Sequence, residues 1–221
     1  MWSGHADAAG LAQQTEAVAA ELRHAGNRPF VVPFGGSNGI AARGYAECAQ
    51  ELLAQVPDVS TAVVALGSGG TMAGLVSVLG TQRVLGVHCG AIDDPRGTVA
   101  GLLSDMGVDV DPADLRLDVE QVGAGYGQLT DPSMAAMLTC ARTEGVVLDP
   151  IYTGRTLAGL IAAIATGQIS RGEEVVFAHT GGMPGLFGSA DATAQAVAAL
   201  RVWTAQDPCL DRRTGSRPRQ P

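Results

Sequence analysis

A glycine-rich loop is the part of this sequence best suited to hold an anion. It reads Gly67-Ser68-Gly69-Gly70-Thr71 and lies between an apolar run and a segment with helical spacing. The glycines would let several backbone N–H groups converge on one anion, and a following helix would add the positive end of its dipole. Hydroxyl donors at Ser68 and Thr71 make a phosphate dianion a natural ligand. A flexible turn that needs positive φ would explain the same glycines equally well.

Two tyrosines could act as acids. Tyr126 and Tyr152 are two of the three tyrosines in the chain, and both lie in glycine-flanked loops after predicted strands. A phenol, with an unperturbed pKa of about 10, can donate a proton to a leaving group or a carbanion if its site lowers that pKa. The competing interpretation is a packed ring with a hydrogen-bonded hydroxyl.

The histidines indicate neither a catalytic base nor a metal site. His179 ends a predicted buried strand, where a hydrogen-bonded core imidazole is a better interpretation than a base or a metal ligand. The other histidines make no metal-binding spacing with it or with the cysteines, so no metal site is predicted.

Apolar segments of strand length alternate with segments of helical spacing along the chain. Strands are predicted over 29–34, 61–66, 83–88, 115–121, 145–149 and 174–179, and helices over 7–25, 40–54, 71–79, 95–106, 132–144, 154–167 and 190–203. The strands are apolar without alternation, which predicts an α/β fold with a mostly parallel sheet covered by helices on both faces. Several connecting loops would then meet at the carboxyl edge of the sheet, where ligands bind. These loops are 35–38, 67–71, 123–127 and 179–182.

Composition excludes several classes of protein. The net charge of −8 argues against a nucleic-acid-binding surface. No apolar run approaches the roughly 20 residues of a membrane span, and the first residues do not read as a signal peptide. Four cysteines without CxxC spacing or a dense framework favour reduced thiols. We therefore expect a cytoplasmic protein with neither a nucleic-acid nor a membrane partner.

Five stretches, in this order, resemble the D-cysteine desulfhydrase and 1-aminocyclopropane-1-carboxylate (ACC) deaminase family. They are PFVVPFGGSN…GYAE (29–47), VVALGSGGTMAGL (63–75), GAGYG (123–127), EGVVLDPIYTGRTLAGLI (144–161) and VVFAHTGGMPGLF (175–187). This family belongs to the tryptophan-synthase-β-like enzymes, so the resemblance implies the fold-type-II class and pyridoxal 5′-phosphate (PLP) as cofactor.

The resemblance also implies roles for single residues. It makes Gly67 to Thr71 the cup for the cofactor phosphate and places Tyr126 and Tyr152 beside the substrate as catalytic residues. Thr153 and Thr180 would lie near the pyridine nitrogen of the cofactor. The deaminase pattern has Glu and Leu at these two positions, so the threonines favour the desulfhydrase branch.

The implied activity is that of a PLP-dependent carbon–sulfur lyase or deaminase acting on a small amino acid. In the desulfhydrase branch it is an α,β-elimination that converts D-cysteine to pyruvate, ammonia and sulfide; the substrate itself stays open. The full-length family implies a homodimer, and the oligomeric state of this chain also stays open. Two departures concern the site: Arg155 replaces the usual Lys of its helix, and Leu129-Thr130 replaces a Pro-Asn pair.

A larger departure is that the Schiff-base lysine is absent, because all 14 basic side chains are arginine. The GGNK-type and Ser-Asn-His motifs of the family's N-terminal segment are absent as well. We therefore expect an N-terminally truncated chain, divided as 1–55, a remnant of the smaller domain; 56–203, the main cofactor-phosphate-binding α/β domain; and 204–221, a disordered tail. The alternatives are one half of a split enzyme, with the lysine on a partner chain, and a non-catalytic PLP- or phosphate-binding fragment.

Overall fold

A parallel four-stranded sheet forms the centre of the chain. The computed structural model describes residues 8–206, and their side chains within 10–199. The strands are β1 (Thr61–Leu66), β2 (Val84–His88), β3 (Arg116–Asp118) and β4 (Val175–Phe177), and their order across the sheet is β3-β2-β1-β4. All three strand pairs are parallel, with Ala62 opposite Val84 in the central pair. This confirms the predicted parallel sheet.

Eight α-helices connect or flank these strands in the described part of the chain. They are α1 (Ala8–His24), α2 (Gly39–Gln55), α3 (Gly70–Leu79), α4 (Pro95–Asp105), α5 (Asp131–Thr143), α6 (Thr153–Ala165), α7 (Met183–Gly188) and α8 (Ala190–Gln206). Side-chain caps fix several of their starts: Asn38 accepts the Ala41 N–H at α2, and Asp94 accepts the Gly97 N–H at α4. No helix in residues 8–206 is long and apolar enough to cross a membrane.

The hydrophobic core has a layer on each face of the sheet. On one face, Val64 and Leu66 of β1 pack with buried side chains from α2, α3 and α4. On the other face, Val63 packs with Val87 of β2 and with Leu160 of α6. Because neighbouring residues of a strand point to opposite faces, a sheet buried on both sides needs continuous apolar strands such as TAVVAL. The helices on both faces confirm the predicted fold class.

Helix α2 belongs to the same packed core as the sheet. Its Ala42 and Ala49 are buried in the core layer that includes β1 and α3. The close approach of α2 and α3 requires glycine at position 74, because a Cβ there would overlap Ala42 O and Tyr45 Cβ. The domain boundary at 55/56 stays a prediction. Residues 204–206 continue α8, and residues 207–221 of the predicted tail lie outside the described residues, as do residues 1–7.

Two predicted strands are wrong. Residues 29–34 form no strand and lead into a 3-10 turn at Phe34–Gly36, with Phe30 85% exposed. Residues 145–149 are also irregular, and Val146 and Val147 are more than 40% exposed. Neither segment pairs with a strand of the described sheet, and an extended segment becomes a strand only by hydrogen bonding to a neighbour.

The end of the predicted strand 115–121 also differs. The paired part is only Arg116–Asp118, and Glu120–Val122 forms a 3-10 turn. The Asp118 carboxylate accepts the Glu120 N–H at 2.8 Å, so a local side-chain bond takes this N–H at the start of the 3-10 turn.

Candidate active site

A cavity of about 320 Å³ lies at the carboxyl edge of the sheet. All four loops that the sequence placed at this edge contribute to its wall. The lining residues are Phe34, Gly35, Ala65, Gly67, Ser68, Gly69, Gly70, Thr71, Ala91, Tyr126, Tyr152, Thr180, Gly181 and Gly182. The structure therefore brings together every predicted site residue except Thr153.

The loop between β1 and α3 forms a cup at the start of that helix. Gly69 adopts φ +94°, a left-handed conformation that L side chains rarely adopt, and α3 begins at the next residue. The Gly70 N–H donates to the Ser37 hydroxyl at 3.2 Å, and that hydroxyl lies 2.7 Å from the Ser68 hydroxyl. A side chain at Gly70 would come within 2.6 Å of Ser37 Oγ. Backbone donors, three hydroxyl groups counting Thr71, and a ten-residue helix pointing its N-terminus at the cup make it suitable for a phosphate dianion.

The two tyrosines meet over this cavity. Their hydroxyls are in hydrogen-bond contact, and their rings lie edge to face with centroids 6.1 Å apart and planes at 65°. Burial raises the pKa of Tyr152, and its hydrogen bond with the Tyr126 hydroxyl raises the pKa further. These surroundings make Tyr152 a neutral hydrogen-bond donor at neutral pH, since they raise its pKa and an acid–base catalyst would need it lowered.

Asp149 holds Tyr152 at the start of α6. Its buried carboxylate accepts the N–H groups of Ile151 and Tyr152 at 2.9 Å each, and that of Thr153 at 2.8 Å. The Thr153 hydroxyl donates a fourth bond at 2.7 Å and accepts the Asp149 N–H at 2.9 Å. The loop at Gly182 packs against the same carboxylate, because a Cβ there would overlap Asp149 Oδ1. Asp149 therefore fixes the backbone on two sides of the cavity.

These contacts place the two predicted threonines differently. Thr180 lines the cavity, where its hydroxyl is available to a ligand. Thr153 is 1% exposed and its hydroxyl is bonded to Asp149. Their roles near a pyridine nitrogen stay predictions.

Two buried groups, His88 and Cys89, lie at the end of β2. Burial lowers the pKa of His88 and so favours its neutral form. Burial raises the pKa of the adjacent Cys89 thiol to about 12, which makes it an unreactive thiol at neutral pH. His179, predicted to be a core imidazole, is instead exposed, and its Nε2 lies 3.1 Å from the Val147 carbonyl. Its strand ends earlier than predicted, at Phe177, so His179 falls in the following loop.

No group of three or more His, Cys, Asp and Glu side chains in the described residues could hold a metal ion. A second cavity, of about 230 Å³, lies between α6 and the end of β3 and contains Leu85, Leu117 and Gly159. None of the predicted site residues lines it.

A parallel α/β sheet with a glycine-rich cup at the start of a helix, and with two tyrosines across the cavity, is the arrangement of the fold-type-II class of PLP enzyme. The family model described as pyridoxal-phosphate dependent enzyme matches residues 5–181, so this chain belongs to the PLP-dependent enzyme family. The cofactor of this family is PLP, as predicted from the sequence.

Curated relatives agree with this class. The D-cysteine desulfhydrase of Yersinia enterocolitica is 37% identical over 187 residues, which are 79% of this chain and 57% of that protein. The D-cysteine desulfhydrase of Klebsiella pneumoniae is 35% identical, over 80% of this chain and 57% of that protein. The chain thus spans less than two thirds of the length of these relatives.

A solved structure agrees as well. The crystal structure of an ACC deaminase homologue superimposes with a TM-score of 0.75 at 30% identity, covering 86% of this chain and 60% of that one. The resemblance to D-cysteine desulfhydrase and ACC deaminase drawn from the five sequence stretches is confirmed by these matches.

Proposed function

We propose that this chain is the cofactor-phosphate-binding part of a PLP-dependent carbon–sulfur lyase that acts on D-cysteine. The observation that carries the proposal is one cavity holding both the phosphate cup and the Tyr126–Tyr152 pair. The reaction would convert D-cysteine and water to pyruvate, ammonia and sulfide. Deamination of a related small amino acid is the other reaction that this family supports.

The residues of the cup fit the phosphate of the cofactor. The backbone N–H groups of 67–71 and the hydroxyls of Ser68 and Thr71 would hold it at the N-terminus of α3. The Ser37 hydroxyl, which takes the Gly70 N–H, would exchange this bond for one to a phosphate oxygen. When bound, PLP supplies an electron-withdrawing ring that stabilises negative charge on the α carbon of an amino acid.

The tyrosine pair would present a neutral hydrogen-bond donor to the leaving group in the cavity. Tyr152 keeps its proton at neutral pH because burial and the Tyr126 hydroxyl raise its pKa. A neutral phenol can donate a hydrogen bond to a sulfur atom that leaves as hydrosulfide, while the second hydroxyl stays in hydrogen-bond contact with the first. Thr180 would face the pyridine nitrogen with a neutral hydroxyl, which does not enforce protonation of the ring as a carboxylate would.

One residue needed for this chemistry is not among these 221 residues. PLP enzymes bind their cofactor through a lysine amine, and this chain contains arginine as its basic residue and no lysine. The amine would come from sequence outside these residues or from another polypeptide. The absence of lysine also supports the alternative of a non-catalytic PLP- or phosphate-binding chain, or of one half of a split enzyme.

A fusion protein tests the proposal. The part of the Yersinia enterocolitica desulfhydrase that does not align with this chain would be joined to it, and sulfide release from D-cysteine would be measured with added PLP. We expect sulfide release by the fusion, and none above free PLP by the unfused chain or by a fusion whose cofactor-binding lysine is replaced by alanine. Turnover by the unfused chain would contradict this account of the site. A folded fusion that binds PLP but acts on neither D-cysteine nor related amino acids would favour the non-catalytic alternative.

A further inference from the structure

Arg155 is the largest fully buried side chain in the described part of the protein. It lies in the first turn of α6, three residues after Tyr152. Burying a guanidinium is costly unless its charge is paired or its donors are satisfied. The ion pair found among the described residues joins Arg23 to Glu16 on the surface, so Arg155 is held by other groups.

Those groups are backbone carbonyls from two separate loops. One terminal nitrogen of Arg155 donates to the carbonyl of Cys89, just past the end of β2. The other donates to the carbonyls of Gly125, at 2.8 Å, and Gln128. Gly125 and Gln128 bracket Tyr126 in the chain, so the guanidinium ties the Tyr126 loop to the sheet and to α6.

The Tyr126 loop has little else to fix it. It contains no regular element between the turn at Glu120–Val122 and α5. Gly123, Gly125 and Gly127 all adopt positive φ, and Tyr126 itself is 44% exposed. Within the loop, the Gly125 and Gln128 N–H groups make backbone bonds of 3.3 and 3.4 Å. A planar guanidinium that bonds the loop on both sides of Tyr126 therefore limits where its phenol can move.

We propose that Arg155 is a positioning residue that holds the Tyr126 hydroxyl against the Tyr152 hydroxyl. Helix α6 then fixes the positions of both phenols. Tyr152 immediately precedes the first residue of α6, and Arg155 of α6 bonds to the loop that carries Tyr126. The importance of this pair for chemistry rests on the proposed function, but its geometry does not. A lysine at this position would keep the charge and lose the flat fork that spans both loops.

Another arginine of this chain provides a matched control. Arg96 also donates to three backbone carbonyls, those of Pro112, Ala113 and Leu115, at 2.8, 3.3 and 2.7 Å. None of these residues lines the cavity. Arg96→Met therefore removes the same number of hydrogen bonds to backbone carbonyls without affecting the tyrosine pair.

The experiment is NMR of protein with labelled tyrosines, with Tyr45→Phe used for assignment. We would compare Arg155→Met, Arg155→Lys and Arg96→Met with the unsubstituted chain. Two quantities would be measured: the nuclear Overhauser contact between the rings of Tyr126 and Tyr152, and the pH at which Tyr152 ionises. In Arg155→Met we expect the contact to be lost and Tyr152 to ionise about one pH unit lower, the size of one lost hydrogen bond. Arg155→Lys should shift both in the same direction, and Arg96→Met should shift neither.

These outcomes separate a positioning role from a merely structural one. Unchanged ring contact and titration in a folded Arg155→Met protein would overturn the proposal. If Arg155→Met does not fold, Arg155→Lys decides by the same two measurements. Equal changes in Arg96→Met would also overturn it, since they would reflect general destabilisation. Because neither measurement uses PLP, failure of the chain to bind the cofactor would refute the proposed function and leave this inference standing.

Discussion

Asp149 offers the sharpest test of how the site is built. Its carboxylate accepts four hydrogen bonds, from three backbone N–H groups and the Thr153 hydroxyl. In Asp149→Asn, one amide oxygen can keep the two bonds at the Oδ1 position, which come from Thr153. The amide NH2 would then face the N–H groups of Ile151 and Tyr152, two donors that lose their acceptor.

The magnitude follows from those two donors. A donor left unsatisfied in a buried site costs about 1–3 kcal/mol, so with two such donors Asp149→Asn should lower the free energy of unfolding by about 2–6 kcal/mol. Urea unfolding followed by circular dichroism measures this value. Asp111→Asn is the matched control, because Asp111 accepts a single exposed N–H, that of Ala113, and should cost about 1 kcal/mol or less.

A second readout ties Asp149 to the cavity. Because the carboxylate holds the Tyr152 backbone, Asp149→Asn should also weaken the contact between the rings of Tyr126 and Tyr152, while Asp111→Asn should leave it intact. A free energy of unfolding within 1 kcal/mol of the unsubstituted protein, together with an intact ring contact, would refute this reasoning.

Two further predictions concern the cup and the pH dependence of stability. Thr71→Asp places a carboxylate at the cavity wall in the first turn of α3, while Thr71→Asn places a neutral side chain of the same shape there; calorimetric titration with a PLP analogue should show a dissociation constant at least about tenfold higher for Asp than for Asn, and equal constants would show that the cup is misassigned. The folded-state pKa of Cys89 is raised to about 12 from an ordinary 9.0, so its contribution to stability is present below pH 9 and is lost as pH rises towards 12. At pH 11 that loss amounts to about 2–3 kcal/mol. The raised pKa of Tyr152 acts in the same direction from about pH 10. Urea unfolding between pH 8 and 11 should therefore show a shallower decline for Cys89→Ala, and identical slopes would count against burial as the cause.

Apolar patterning predicted the central sheet but overcounted its strands. The segments 61–66 and 84–88 are strands because each finds a parallel partner in the sheet. Segment 29–34 has a similar apolar character and remains unpaired, with Phe30 exposed. Whether an apolar run becomes a strand depends on a neighbouring strand, and in this run Pro29 and Pro33 lack the N–H groups that such pairing uses.

The loops of the site could be predicted, and the residues that hold them were harder to find. Loop positions follow from the rule that parallel strands end at one edge of the sheet. Asp149 left a local signal, because an Asp that precedes a turn and a helix often accepts the next N–H groups. The sequence signal for Arg155 is weaker, because it consists only of a single charged residue in an otherwise apolar helix. Its acceptors lie 27 to 66 residues away in the chain, beyond the reach of any local pattern.

The central claim is that the cup at 67–71 binds the phosphate of PLP. The most direct measurement is an NMR titration of the ¹⁵N-labelled chain with 4′-deoxypyridoxine 5′-phosphate, which has the ring and the phosphate but no aldehyde. We predict saturable shifts of the amide signals of 67–71 and of Ser37, and no shifts at Leu117 or Gly159 in the second cavity. Inorganic phosphate should shift the same amides at higher concentration. Absence of saturable shifts at 67–71 up to millimolar analogue, or shifts confined to the second cavity, would contradict the claim.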